Sequence, residues 1–197
     1  MHRRNRMKYL AYGSNLNLGQ MAYRCPHAEP QYGMMLDDFT LAFKRVADII
    51  PQKGSQVPVG IFDITEDCEA ALDVYEGYPR MYTKMYLDLG GEQVMTYVMN
   101  ATQISAPSKG YYDSIAEGYQ DFGLDTSYLE AARKTAETES AYRQRHAVKP
   151  KVRTIPWNQS QGSFDYDDHT YGHPYADDFL LPSWDSLLKK WKRERIS

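Results

Sequence analysis

Tyr9-Leu10-Ala11-Tyr12-Gly13-Ser14-Asn15-Leu16 runs a short apolar stretch straight into a Gly-Ser-Asn turn. The apolar part, from Lys8 to Ala11, is too brief for helical periodicity and reads as a buried strand. A helix follows, over Asn17-Leu18-Gly19-Gln20-Met21-Ala22-Tyr23-Arg24-Cys25, with Asn15 or Asn17 as its N-cap and Pro26 as its stop. A strand that ends in such a turn and opens a helix leaves several backbone N–H groups without internal partners. The helix N-terminus adds partial positive charge, so a carboxylate or phosphate is stabilised there without a lysine or arginine. Gly13 allows close approach of the backbone, and Ser14 and Asn15 offer side-chain donors or fix the turn. The plainer reading is an ordinary strand-to-helix turn capped by asparagine.

Some sixty residues later a second feature stands out, Glu76 in Leu72-Asp73-Val74-Tyr75-Glu76-Gly77-Tyr78-Pro79. The segment before it predicts a helix from Thr65 to Tyr75. Thr65 is a good N-cap, acids occupy the first turn, and Cys68, Ala71, Leu72 and Tyr75 share one face. Gly77 suits the left-handed residue at a helix C-terminus. Glu76 thus lies at a helix exit between Tyr75 and Tyr78, a setting that can strip water from its carboxyl and raise its pKa toward neutrality, as proton transfer needs. The alternative is a solvated glutamate at a helix end.

Strands are expected at Tyr32–Leu36 and Phe39–Ala47, with Asp37-Asp38 as the turn between them, and at Val57–Ile64, with Pro58 near its edge or start. A hairpin follows, Met81–Leu89 returning as Gln93–Met99 through Gly90-Gly91. Helices are expected over Tyr111–Tyr119 and from about Ser127 to Arg145, with Thr126 or Ser127 capping the latter. Beyond Pro150 the pattern changes to a loop-like, Asp- and Tyr-rich stretch that closes on a helix with a Trp184, Leu187, Leu188, Trp191 stripe. The chain therefore reads as one mixed α+β domain over 7–146 with a C-terminal extension over 147–197.

At 197 residues and 42% hydrophobic, the chain can bury one ordinary core. Its net charge of -3 gives no case for nucleic acid or an acidic membrane surface, and no run approaches the roughly 18 apolar residues of a membrane span. The basic start, Met1 to Arg6, is too soon polar to be a signal peptide and reads as a frayed extension. Two cysteines, Cys25 and Cys68, make no disulfide framework and suit free thiols in a reducing cytosol. His169 and His173 with Asp167 and Asp168 have the look of a metal cluster, but Gly172 and Pro174 disfavour the helix that would align the imidazoles. A solvated loop is the reading there, and no metal is expected. The basic end of the final helix suits either an anionic membrane or partner, or packing on its own domain.

Taken together, Tyr12-Gly13-Ser14-Asn15 and Leu72-Asp73-Val74-Tyr75-Glu76-Gly77 resemble the γ-glutamylcyclotransferase, or AIG2-like, family. Met21-Ala22-Tyr23-Arg24-Cys25-Pro26, Thr96-Tyr97-Val98-Met99 and Pro107-Ser108-Lys109-Gly110-Tyr111 fit its later motifs, so the resemblance spans roughly Lys8 to Leu129. It implies a small mixed β-barrel flanked by helices, with a cavity at one mouth. It further implies that Tyr12, Gly13, Ser14, Asn15 and the adjoining Leu16 bind a substrate α-carboxylate, that Glu76 is the catalytic acid/base, and that Tyr82 and Tyr111 are cavity tyrosines. Core packing is the other reading of those two phenols. The implied reaction cyclises a γ-glutamyl group to 5-oxoproline, releasing an amine, with no metal or organic cofactor. The loop of the glutathione-cleaving subfamily carries Leu where this chain has Asn15, which points toward small-molecule γ-glutamyl amino acids or amines as substrates. A larger γ-glutamyl-linked molecule is a further option, with the extension reshaping the cavity mouth. The competing function is a non-catalytic module binding a small acidic ligand or a protein. A cytoplasmic protein is expected, with the oligomeric state left open.

Overall fold

A computed structural model describes residues 6–146. The extension expected from 147 onward, with its Trp-Leu stripe and its His169/His173 cluster, lies outside them. Five strands and four helices follow one another as β1 (Arg6–Ala11), α1 (Leu18–Arg24), β2 (Glu29–Lys44), β3 (Val46–Thr65), α2 (Glu66–Glu76), β4 (Tyr82–Leu89), β5 (Glu92–Met99), α3 (Lys109–Asp121) and α4 (Ser127–His146). The strands form one sheet in the order β2-β3-β1-β5-β4. β1 is central, antiparallel to β3 and parallel to β5, while β2–β3 and β4–β5 are antiparallel hairpins. The mixed α+β fold expected from the sequence is thus present, as an open sheet with β2 and β4 at its edges rather than a closed ring of ladders. Apolar residues in continuous buried runs of these strands, among them Leu10, Phe43, Ile49, Ile61 and Val98, are fully buried, joined by Leu72 of α2, Ile115 of α3 and Leu129 of α4.

Two expectations about β2 and β3 need correction. Asp37-Asp38 is not a turn between strands. β2 continues through it, and the pairing shifts from Asp37↔Gln56 to Phe39↔Pro51. Asp38 takes a left-handed φ of 63° at this irregularity, where it stands against the four residues 52–55 of β3, and its carboxylate accepts the Gly54 N–H at 2.9 Å. The reversal comes instead at Arg45, φ 69°, between the paired Lys44 and Val46. Of the two places expected for Pro58, an edge or a strand start, the start is wrong, since Pro58 lies well inside β3. The ladder with β1 ends at Ala11↔Gly60, two residues short of it, so β3 has a single partner strand at that level.

The register of β1 also explains how the site comes together. β1 runs from Arg6, paired with Thr65, to Ala11, paired with Gly60, and β3 returns the opposite way into α2. The six residues of β1 span about 20 Å at the usual strand rise. The eleven residues of α2 span about 16 Å at the usual helical rise. A helix of that length starting at the Arg6 end of β1 brings its last residue back level with the turn that follows Ala11. Thr65 caps its start, accepting the Cys68 N–H, and Gly77 closes it at φ 65° with its N–H on the Asp73 and Val74 carbonyls.

Candidate active site

The strand does not pass directly into α1. Ser14–Leu16 form a single 3-10 turn, closed by Leu16 N–H to Gly13 O at 2.9 Å and Asn17 N–H to Ser14 O at 3.2 Å. Asn17 is the cap of α1, accepting the Gln20 N–H at 2.9 Å. The leading amides of such a turn, at Gly13, Ser14 and Asn15, have no partner within it. Helix α3 holds the turn from behind. Its Glu117 carboxylate accepts Asn17 Nδ2 at 2.8 Å and Asp121 accepts the Leu18 N–H at 2.9 Å. A Cβ on Gly118 would stand 2.5 Å from Asn17 N and 2.6 Å from the Leu16 carbonyl carbon, so only glycine permits this approach of helix to turn.

In front of the turn lies a cavity of about 250 Å³. Tyr12, Gly13, Ser14, Asn15, Glu76, Tyr82 and Tyr111, seven of the eight residues singled out in the sequence, line it together. Leu16 stands apart. Its side chain is fully buried in the core, its N–H is spent on Gly13 O, and it does not reach the cavity. Tyr9, Val46, Ala47, Tyr75, Met81 and Tyr97 also line the space and were not foreseen. Tyr75 is the neighbour of Glu76 and Tyr9 belongs to the quoted stretch, so both had a signal. Val46 and Ala47 had none, because their place depends on the reversal at Arg45.

The residues are tightly connected. Glu76 is half-buried, and its Oε1 accepts Asn15 Nδ2 at 2.9 Å. The same amide nitrogen donates to Tyr9 Oη at 2.7 Å, while Asn15 Oδ1 accepts Arg24 Nη1 at 2.6 Å. Of the two uses expected for the Asn15 side chain, donor to a ligand or support of the turn, the second fits, since it is spent on Tyr9, Glu76 and Arg24. Tyr12 Oη donates to the Tyr97 carbonyl at 2.6 Å, and Tyr97 Oη donates to Asp73 at 2.6 Å. Tyr111 Oη accepts the Ala47 N–H at 3.1 Å, which leaves its hydrogen to donate. Neither Tyr82 nor Tyr111 bonds Glu76 in this structure, although both face the same space.

Burial pushes the Glu76 carboxyl up to about 7, against the opposing effects of the Asn15 hydrogen bond and the Arg24 charge. Burial likewise lifts Tyr9, Tyr12 and Tyr82 above the usual phenol range and Tyr111 to about 12, so these hydroxyls are neutral donors near pH 7. The arrangement offers a carboxyl that titrates near neutrality, a set of backbone amides for an anion, and phenols to donate hydrogen bonds. Among the described residues, no group of three or more His, Cys, Asp or Glu is placed to hold a metal ion. No described helix is long and apolar enough to cross a membrane.

Similarity to solved structures agrees with this fold. One, a γ-glutamyl cyclotransferase, is 22% identical, covers 79% of this chain and 95% of its own, and superposes with a TM-score of 0.57. An uncharacterized protein from Homo sapiens is 22% identical over 82% of this chain and 94% of its own, with a TM-score of 0.55. YkqA from Bacillus subtilis is 19% identical over 68% of this chain and 55% of its own, with a TM-score of 0.56. At these identities the likeness is one of fold. No curated protein matches the chain. The family model for γ-glutamyl cyclotransferase, AIG2-like proteins matches residues 9–119, from the central strand to the end of the helix behind the turn, and the chain belongs to that family.

Proposed function

We propose that this protein cyclises a γ-glutamyl amino acid or amine, releasing 5-oxoproline and the free amine, with Glu76 as general acid/base. The observation that carries this reading is the 2.9 Å contact between Asn15 and Glu76, which sets a carboxyl titrating at about 7 beside the amides of the turn in one cavity. The glutamyl α-carboxylate rests on the main-chain N–H groups of Gly13, Ser14 and Asn15, with the Ser14 hydroxyl beside them. That anchorage bends the chain so that its own α-nitrogen faces its γ-carbonyl. Glu76 takes a proton from the α-ammonium, and the freed amine forms the ring C–N bond. The C–N bond to the leaving group breaks as Glu76 passes the proton on. Of the three ammonium hydrogens one stays on the ring nitrogen; the other two, carried in turn by Glu76, leave with the amine as an ammonium. Tyr82 and Tyr111 donate to the γ-carbonyl oxygen as it gains charge.

So few groups suffice because the nucleophile is already tethered, and intramolecular attack in a good geometry reaches effective molarities of about 10⁵ M or more. The buried free thiols Cys25 and Cys68 suit a reducing compartment such as the cytosol. The test is 5-oxoproline release from a panel of γ-glutamyl amino acids and amines. Wild type is expected to turn over at least one class, and Glu76→Gln to lose about 10²–10⁴-fold in kcat. Binding by both proteins without release by either would make the chain a ligand-binding module instead.

A further inference from the structure

α1 and α2 are linked through one amide. Asn15 donates both hydrogens of its nitrogen, to Tyr9 Oη at 2.7 Å and Glu76 Oε1 at 2.9 Å, and accepts Arg24 Nη1 at 2.6 Å on its oxygen. The guanidinium fixes the orientation of that amide. If the amide turned over, its oxygen would face the Glu76 carboxylate and its NH₂ would face the donors of Arg24, two repulsive contacts in place of two attractive ones. Arg24 is itself held on several sides. Its Nη2 donates to Gln20 Oε1 at 2.6 Å, Gln20 Nε2 donates to Ser114 Oγ of α3 at 2.6 Å, and the guanidinium carbon lies 3.8 Å from the centre of the Tyr75 ring. Among the described residues, the hydrogen-bond partners of Arg24, namely Ser14, Asn15 and Gln20, are all neutral. Within that set no bonded carboxylate cancels its charge, and the acid it reaches through Asn15 is Glu76.

We propose that Arg24 is the positioning residue of this site: by locking the Asn15 amide in one orientation it holds the Glu76 carboxylate at the cavity and favours its charged form. The inference rests on the reading of Glu76 as the proton carrier. Its electrostatic side is supported by what else faces Glu76. Tyr9 from β1, Tyr12 just beyond it, Tyr82 from β4 and Tyr111 from α3 are all phenols kept neutral by burial. Among the described residues Arg24 is the cation that acts on Glu76, and it opposes the upward push of burial. The planar fork of arginine suits the task, because one nitrogen can anchor to Gln20 while the other addresses Asn15.

The experiment follows kcat and KM against pH for wild type, Arg24→Gln and Arg24→Lys, together with the ¹³C titration of the Glu76 carboxyl in glutamate-labelled protein, assigned against Glu76→Gln. In Arg24→Gln the Glu76 midpoint and the acid limb of kcat/KM are expected to move up by about one pH unit. Its kcat is expected to fall by up to about 10²-fold, with KM little changed. Arg24→Lys keeps the charge and loses the fork, so its midpoint stays near wild type while kcat is still lowered several-fold. An unmoved midpoint in Arg24→Gln overturns the inference and leaves Arg24 a packing residue of α1. Should Arg24→Gln not fold, wild-type kcat in Arg24→Lys overturns it equally. A wild-type chain that cyclises no γ-glutamyl compound defeats the proposed reaction alone, and the carboxyl titration then decides the positioning role.

Discussion

Glu76 shows how a carboxyl stripped of water weighs on the fold that carries it. Its pKa rises from the usual 4.5 to about 7 in the folded chain, so between those values the folded protein binds a proton that the unfolded chain has released. The stability contributed by the protonated form is complete below about pH 4.5 and lost as pH rises through about 7. Glu76→Gln keeps an oxygen for Asn15 and removes the titration. The variant should be more stable than wild type at pH 8, by about 1–3 kcal/mol, and equal to it near pH 4.5, as read by urea unfolding at the two values. At this scale much was legible. A glutamate at a helix exit between two tyrosines already suggested a desolvated acid, and the turn at residues 13–15 already suggested an anion. What the sequence did not disclose was the second use of Asn15. Its oxygen and nitrogen are committed to Arg24, Tyr9 and Glu76, partners nine, six and sixty-one residues away, and no spacing rule links them.

Among the elements, α3 bears most directly on the cavity, since it presents Tyr111 to the space and backs the turn at Gly118. Gly118→Ala would place a methyl carbon within 2.5 Å of backbone that cannot move aside as a side chain does. The helix must retreat, taking Tyr111 and its contact with Ala47 along. We expect a loss of about 3 kcal/mol or more in stability by thermal or urea unfolding, in the range of severe overpacking, together with weakened ligand binding. The helices themselves were readable from caps and periodicity. Thr65 begins α2 and Gly77 ends it, each for reasons local to a few residues, while the cap of α3 was missed: Ser108, read as loop, accepts the Tyr111 N–H and starts the helix two residues early. The reversal between β2 and β3 was not readable, because two conformations compete on local rules. Asp37-Asp38 has the better turn composition, yet strand-forming residues continue past it from Phe39 to Phe43. The fold keeps the long ladder and accepts a left-handed Asp38, leaving the less turn-like Arg45 to make the bend.

In the whole molecule, the strand order decides that residues 13 and 76 meet, and strand order is what single-sequence patterns leave open. One contact helps to hold that order together. Lys44 Nζ donates to Asp48 Oδ2 at 2.6 Å across the Arg45 reversal, with the Asp48 side chain fully buried. Asp48 Oδ1 accepts the Met99 N–H at 2.9 Å, so β2, β3 and β5 are tied at one point beside Tyr12. Removing one charge strands the other in the interior. Asp48→Asn should cost about 3–5 kcal/mol in urea unfolding, and replacing both partners by apolar residues should restore part of it. Neither residue was marked by the sequence, where Lys44 reads as one more charge within the expected strand Phe39–Ala47.

The central place of β1 sets the order in which the protein can be completed during synthesis. The strand made first has as its neighbours β3, which ends at Thr65, and β5, which ends at Met99. The β2–β3 hairpin can form on its own as it emerges, but β1 stays half-partnered until β5, which ends at Met99, has been made. Tyr111 arrives later still. A nascent chain arrested before Met99 therefore carries the turn and Glu76 but no finished chamber to hold them, and the walls of the cavity are assembled only after the residues at its heart have long been exposed.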